Sequence, residues 1–475
     1  MHRKFKVAKR RDIDMTEGSI FSKILAFSVP LMATGILQLL FNAADMAVVG
    51  KYVSETALAA VGSTGSLVSL IVNFFIGLSA GAGVIMSKHF GSKDEELGSK
   101  LLHTAMPVGL ISGILVAIVG ALLSNTLLIA MNTPEKDNCL AMANEYLVIY
   151  FIGAPFNLVY NFGASMLRST GDTVRPLIYL SIAGVINVIV NLVAVIVFNM
   201  GVSGVAYATI TSQAISAVLV VRALMKNEGF AKLKLKKLCI HKGSLLEILR
   251  LGIPSGVQSS LFSVSNMVIQ GTINTFGDVA MAANAAARQI EGFVYVVLNS
   301  VATAAVTAVG QNYGARNYKR IRKCIIECLT FVLTLGIVSG MAIMLFSKPL
   351  INIYTQTDEA TVIGIERLNF FLITYVLCGL MDVLNCSMRG MGFSFIPMVI
   401  VLVGTCVLRV LWIYFIFPLQ PTLMNVYMSY PVSWVLTAIV GGIVLVHFIR
   451  KREREERKKC EGEKIGKGTL EQVAE

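Results

Sequence analysis

Residues 27–50 read FSVPLMATGILQLLFNAADMAVVG, an apolar run long enough to cross a hydrocarbon core of ~30 Å as a helix. Pro30 stands near its start, and Gln38, Asn42 and Asp45 follow at spacings of four and three, so these three polar side chains share one helix face. A stretch of the same kind begins at RLGIPSG, where Pro254 follows Pro30 at an offset of 224. This recurrence predicts two copies of one membrane unit.

Other residues repeat at almost the same offset. The matched pairs are Ala59 and Ala60 with Ala282 and Ala283, Gly91 with Gly314, and Arg168, Gly171 and Pro176 with Arg389, Gly392 and Pro397. We therefore predict a basic N-terminus (1–19), an N-terminal lobe (20–225), a linker (226–245), a C-terminal lobe (246–449) and a charged tail (450–475). Each lobe holds six predicted spans, so the two lobes share one orientation and are related by an axis along the membrane normal.

Composition points to a membrane protein. The chain has 475 residues, of which 55% are hydrophobic and 15% charged, and its mean hydropathy is +0.71. Backbone groups in lipid must bond internally, and the polar–apolar alternation of a membrane barrel is absent, so the apolar runs are predicted to be helices. We predict an all-α fold of twelve transmembrane helices in two six-helix lobes, at 22–46, 57–87, 101–123, 144–166, 177–198, 203–225, 246–273, 289–310, 324–347, 368–388, 397–418 and 427–449.

Basic residues are strongly asymmetric across these spans. Of 41 lysines and arginines, 35 fall on one side, and the others are Lys51, Lys136, Arg288, Lys348, Arg367 and Arg409. This positive-inside bias predicts a multi-pass protein of the plasma membrane with both termini in the cytoplasm, and it argues against a nucleic-acid partner. We expect a monomer in the lipid bilayer. The histidines show no metal-ligand spacing and the cysteines no disulfide framework, so no metal or cofactor is expected.

The polar face of the first span is the main candidate site. Asp45 is its one carboxylate, and ionisable side chains inside membrane spans are expensive and commonly functional. Further amides of this lobe are candidates for a shared cavity: Asn157, Asn161, Asn187, Asn191 and Gln213. Alternatively, Asp45 lies at the outer interface and only caps the helix.

A carboxyl group hidden from water favours its neutral form, because the charged form loses solvation. Such an acid can take up a proton on one side and release it on the other, or it can pair with a cation when ionised. Amides serve both states, since they donate and accept hydrogen bonds. Proton and cationic substrate would then compete for one charge, which couples their movements in opposite directions.

The C-terminal lobe differs, because Ile269 stands where Asp45 has its repeat counterpart. Its candidate cavity residues are Glu291, Asp382 and Arg409. Asp382 and Arg409 have two alternative roles: they form an ion pair between neighbouring helices, or they contact a ligand. Pro30 and Pro254 each remove one backbone hydrogen bond from the first helix of a lobe, so they either shape it statically or act as hinges.

Taken with LFNAADMAVVG, the segments GSKDEELGSK, MLRSTGDTVRP, NYGARNYKR and SMRGMG resemble the multidrug and toxic compound extrusion (MATE) family over about residues 18–449. The resemblance implies efflux of amphipathic, often cationic compounds, driven by entry of H⁺ or Na⁺. It assigns ion coupling to Asp45, Asn187 and Asn191. Some relatives have aspartate where this chain has Asn191, and the seventh-helix acid of sodium-type relatives is missing from 258–273, which favours H⁺.

Two other functions stay open at this stage. One is a lipid-linked oligosaccharide flippase of related architecture, whose cavity would be lined by arginines, whereas Arg409 is the only arginine predicted at mid-span. The other is a membrane enzyme acting on lipids, which would need a cluster of acids facing water. We find no such cluster in the sequence and predict an antiporter rather than an enzyme.

Overall fold

The computed structural model describes residues 12–131, 138–227, 231–355 and 357–474, so Lys136 and the basic residues 3–11 lie outside the described chain. The N lobe comprises α1 (Ile20–Tyr52), α2 (Glu55–Ser92), α3 (Glu95–Ala130), α4 (Cys139–Ile152), α5 (Ala154–Ser169), α6 (Val174–Leu192) and α7 (Gly201–Lys226). The C lobe comprises α8 (Lys242–Asn274), α9 (Asp278–Gly314), α10 (Tyr318–Leu345), α11 (Ser347–Asn352), α12 (Asp358–Gly390), α13 (Phe395–Val401), α14 (Leu408–Leu411) and α15 (Leu423–Ala474).

Among the described residues, ten helices are long and apolar enough to cross a membrane, or eleven when α4 and α5, bent by 47°, are taken as one span. A π-helical turn extends α6 to Val197, and π and 3₁₀ turns join α13 and α14 into the span Phe395–Leu419. The remaining predicted span is α8, a continuous helix of 33 residues made less apolar by several serine, glutamine and asparagine side chains. The all-α, two-lobe fold is thereby confirmed.

The repeat is visible in the backbone as well as in the sequence. Lys93 and Arg316, which are 223 residues apart, both adopt left-handed φ angles, of 58° and 56°. The next residue in each copy caps the following helix: Asp94 accepts from Leu97 N, and Asn317 accepts from Arg320 N. These side chains satisfy amides that the first helical turn leaves without partners. Each lobe therefore turns between its second and third spans in the same way.

The two lobes meet most closely where α2 packs against α8. Each helix presents a pair of glycines four residues apart, Gly77 and Gly81 on α2 and Gly252 and Gly256 on α8. An ideal Cβ on Gly77 would lie 2.6 Å from Gly256 Cα, and one on Gly81 would lie 2.6 Å from Gly252 Cα. Small residues at this spacing allow two helix backbones to touch, which stabilises helix pairs in membranes.

We call the end of the bundle where α1 begins and where α2 and α9 terminate the basic end. The contact between α2 and α8 lies in the half of the bundle nearer to this end. Residues 12–18, here called the strap, close the same end. Met15 N donates to Gln311 Oε1 of the C lobe at 2.7 Å, while Thr170 Oγ1 of the N lobe donates to Asp12 Oδ1 at 3.2 Å. The strap thus ties both lobes together at the basic end.

Candidate functional site

The N lobe encloses a cavity of about 520 Å³ on the side that faces the C lobe. All its helices except α3 contribute, and Val296 of α9 closes part of the wall. Seven amide or carboxylate residues predicted from the sequence lie on this wall together: Gln38, Asn42, Asp45, Asn157, Asn161, Asn187 and Gln213. The helix spacing of these residues, four and three on α1 and four on α5, directs each set toward the same space.

Asp45 is held in this wall by the α6 helix. Asn191 Nδ2 donates to Asp45 Oδ1 at 2.7 Å. Asn191 itself is fully buried behind the cavity surface, whereas Asp45 is half-buried and lines it. α1 continues for seven residues beyond Asp45 to Tyr52, so the alternative that this carboxylate caps the helix end is wrong.

Asn187 and Asn191 each leave one hydrogen-bonding atom without a partner. The Oδ1 atoms of both side chains are buried and accept no hydrogen bond within the described residues. Buried acceptors of this kind are energetically unfavourable unless a donor or a cation reaches them. Both amide oxygens and the carboxylate of Asp45 are acceptors, which is the chemistry that a proton donor or a cation would need.

Sequence reasoning did not single out two tyrosines on the same wall. Tyr146 and Tyr150 are one turn apart on α4, with ring centroids separated by 6.2 Å, and both line the cavity. Aromatic faces attract cations and flat apolar groups. Their spacing of four residues inside the predicted span 144–166 was the available signal, although the same pattern is common in ordinary cores.

In the C lobe, Glu291 does line a cavity, but its carboxylate is already paired. Arg367 donates to it through Nε at 2.9 Å and Nη2 at 3.0 Å, and both side chains are buried. Arg367 Nη1 also donates to Asn284 Oδ1 at 2.7 Å, which in turn accepts from Tyr427. Arg367 was expected outside the spans, but it lies nine residues inside α12 and neutralises Glu291.

Asp382 and Arg409 form no ion pair in the described chain. Arg409 instead donates through Nε to Ser433 Oγ at 2.9 Å, and its guanidinium carbon lies 4.2 Å from the centroid of the Tyr430 ring. Asp382 is half-buried on α12 and lines neither the N-lobe cavity nor the cavity beside Glu291, so its contact with a ligand stays a prediction.

A cavity of about 190 Å³ lies in the C lobe and is lined by Glu291 and Arg409 among others. Its wall includes Arg288, Arg367 and Arg409, so the expectation of a single arginine at mid-span is wrong. Glu291 is the one acid on that wall among the described residues. The two lobes therefore present cavities of opposite charge.

Both predicted hinge prolines lie inside unbroken helices. α1 passes Pro30 without a break, and Thr34 Oγ1 donates to the Pro30 carbonyl at 2.7 Å. α8 likewise continues through Pro254, whose neighbour Ser255 donates its hydroxyl to Leu251 O at 3.0 Å. Bending at these positions stays a prediction.

Known proteins resemble this chain over most of its length. The MatE family model matches residues 30–193 and 254–415, once in each lobe. The probable multidrug resistance protein YpnP of Bacillus subtilis (strain 168) is 29% identical over 398 residues, covering 83% of this chain and 88% of that protein. The probable multidrug resistance protein NorM of Thermotoga maritima is 26% identical over 392 residues, covering 81% and 83%.

Solved structures show the same fold. An outward-facing multidrug resistance MATE family transporter of the MOP superfamily superposes with a TM-score of 0.87 at 22% identity, over 94% of this chain and all of that one. A MOP superfamily transporter from Pyrococcus furiosus, described by the reverse polarity of its binding pocket, also gives a TM-score of 0.87, at 23% identity over 94% and 99% of the two chains.

Proposed function

This chain belongs to the MatE family, and from that premise we propose that it exports amphipathic, cationic small molecules from the cytoplasm in exchange for entering H⁺. The protein works as a monomer in the plasma membrane, with its basic end in the cytoplasm. The names of its relatives, which are probable multidrug resistance proteins, support drugs as the substrates. Na⁺ is the alternative coupling ion.

The observation that carries the proposal is the position of Asp45. It is the only carboxylate among the described residues that line the N-lobe cavity, and amides and tyrosines form most of the polar wall around it. Ionised, it attracts a cationic substrate and accepts from Asn191. Protonated, it can donate to an amide oxygen, and the cation loses its counter-charge. Binding of a proton and binding of substrate therefore exclude each other.

The contact between the lobes supports alternating access. In this structure α2 and α8 touch through their glycines and the strap closes the basic end. The cavity at Asp45 lies toward the other end of these helices, so the described conformation favours access from outside. Access from the cytoplasm requires α2 to separate from α8 and the strap to release one lobe.

Coupling to protons predicts the effect of an imposed gradient. Proteoliposomes loaded with ethidium are expected to release it faster when the compartment that receives the dye is acidic, because protons then flow against the substrate. Fluorescence of the dye measures the rate. Equal release under a Na⁺ gradient at fixed pH, with no response to the pH gradient, would show that Na⁺ is the coupling ion.

The glycine contact between α2 and α8 predicts a variant that loses export. Gly256→Leu places a side chain where an ideal Cβ already lies 2.5 Å from the Phe74 carbonyl oxygen, so α2 and α8 cannot close. We expect dye export to fall to the level of cells without the protein. Gly271→Leu, on the same helix, is the matched control, because no atom lies within 4 Å of its ideal Cβ. Normal export by the Gly256 variant, at equal membrane levels, would contradict closure through this contact.

The structure adds Arg288 and Arg367 to Arg409 on the wall of the C-lobe cavity, but this does not favour the flippase alternative. Arg367 is neutralised by Glu291, and a cavity of about 190 Å³ is far smaller than an oligosaccharide carried on lipid pyrophosphate. The larger cavity carries an acid, which repels phosphate. The charge of the larger cavity therefore favours export of cations.

A further inference from the structure

The C-lobe cavity has a surplus of hydrogen-bond donors. Arg409 is fully buried, and its Nη1 and Nη2 atoms have no hydrogen-bond partner within the described residues. Trp434 lines the same cavity and is 3% exposed, and its indole Nε1 also has no partner. Buried donors without acceptors destabilise a fold. A cluster of such donors around one cavity therefore indicates a ligand that accepts hydrogen bonds from them.

The charge on the wall of the C-lobe cavity also favours a ligand that accepts hydrogen bonds. Arg288 and Arg409 both line this cavity, and Glu291 is paired with Arg367, so the wall carries two positive charges without a carboxylate to balance them. Arg288 is exposed and donates to Gln270 Oε1, which is a neutral partner. Among the described residues, the buried guanidinium of Arg409 donates to the neutral Ser433 hydroxyl and lies against the rings of Tyr430 and Trp434. An anion would be the natural complement.

The shape of the site narrows the class of anion. The guanidinium carbon of Arg409 lies 4.2 Å from the centroid of the Tyr430 ring and 5.6 Å from the centroids of the Phe262 and Trp434 rings. The two Nη atoms, which have no partner among the described residues, are the planar fork with which a guanidinium binds a planar acceptor. A carboxylate matches two parallel N–H donors.

We propose that the C-lobe cavity binds a small organic carboxylate with an aromatic or apolar body. The carboxylate accepts from Arg409 Nη1 and Nη2 and from Trp434 Nε1, with Arg288 as a second positive charge. The body lies against Phe262, Tyr295 and Tyr430. The volume of about 190 Å³ suits a single-ring acid, since an apolar cavity of about 150 Å³ is enough for benzene.

This site is separate from Asp45, which lines the other cavity. The two cavities would accept ligands of opposite charge, a cation in the N lobe and an anion in the C lobe. Binding in the C lobe therefore requires neither the ion coupling nor the substrate proposed above.

Fluorescence of Trp434 tests the proposal. The chain has two tryptophans, so Trp412→Phe leaves Trp434 as the only reporter in the purified, detergent-solubilised protein. We expect 4-nitrobenzoate to quench it saturably. The uncharged 4-nitrobenzamide, which has nearly the same size, should bind at least about tenfold more weakly because it lacks the charge that pairs with arginine.

Variants in this background locate the site. Arg409→Met should weaken 4-nitrobenzoate binding about tenfold or more. Arg409→Lys keeps the charge but loses the two parallel N–H donors of the guanidinium, so it should weaken binding less. Arg288→Gln is an exposed substitution that does not threaten folding, and it should also weaken binding. Arg222→Gln, an exposed change on α7, is the control and should leave the affinity unchanged.

Equal binding of the acid and the amide would overturn the proposal. Unchanged affinity in the Arg409 and Arg288 variants would do the same. Displacement of 4-nitrobenzoate by chloride at equal concentrations would show a site for inorganic anions and contradict an organic ligand. Asp45→Asn should bind 4-nitrobenzoate normally, so failure of the export proposal and failure of this one give different results.

Discussion

Asp45→Asn is expected to abolish ion-driven export while the protein still inserts in the membrane. Asparagine keeps the volume of the side chain and can still pair with Asn191, but it carries no charge and takes up no proton. The variant therefore loses both the counter-charge for a cationic substrate and the group that couples substrate to H⁺. Export of ethidium from cells lacking their own pumps measures the loss, with membrane levels checked by immunoblot.

The control is a second carboxylate in the same lobe. Glu145 is exposed in the middle of α4 and accepts from Ser203, and it does not line the cavity. Glu145→Gln should export normally. Near-normal export by Asp45→Asn, or equal losses in both variants, would show that the charge of Asp45 is not what couples transport.

The N-lobe site was predictable because its signals are local. Gln38, Asn42 and Asp45 repeat at helical spacing inside an apolar run, where polar groups must point to the protein interior. Asn187 and Asn191 repeat in the same way on α6. Which of them touches Asp45 was not predictable from spacing, because that depends on how α6 packs against α1. The structure selects Asn191.

The C-lobe site was read wrongly because its helices are longer than the apolar segments within them. α9 begins at Asp278 and α12 at Asp358, about ten residues before the predicted spans. Hydropathy detects only the part of a helix that crosses the hydrocarbon core. Arg288 and Arg367 therefore seemed to lie outside the bundle, although both line its C-lobe cavity.

Glu291→Gln is expected to be among the most destabilising single changes in the chain. Arg367 is buried, and it donates two of its hydrogen bonds to the Glu291 carboxylate, which also balances its charge. Neutralising one partner leaves a guanidinium charge in a nonpolar interior, which typically costs about 3–5 kcal/mol. The midpoint of thermal unfolding, followed in detergent by the fluorescence of the purified protein, should fall clearly below that of the parent.

A pairwise substitution separates loss of charge balance from loss of packing. Glu291→Met combined with Arg367→Met removes both charges and keeps apolar volume, and replacing a buried pair in this way is often neutral or stabilising. The double variant should therefore unfold at a higher temperature than Glu291→Gln alone. Should the double variant be as unstable as the single one, the network of Asn284 and Tyr427 around Arg367 would matter more than the ion pair. An unchanged midpoint in Glu291→Gln would mean that water or a ligand, rather than Glu291, balances the charge of Arg367.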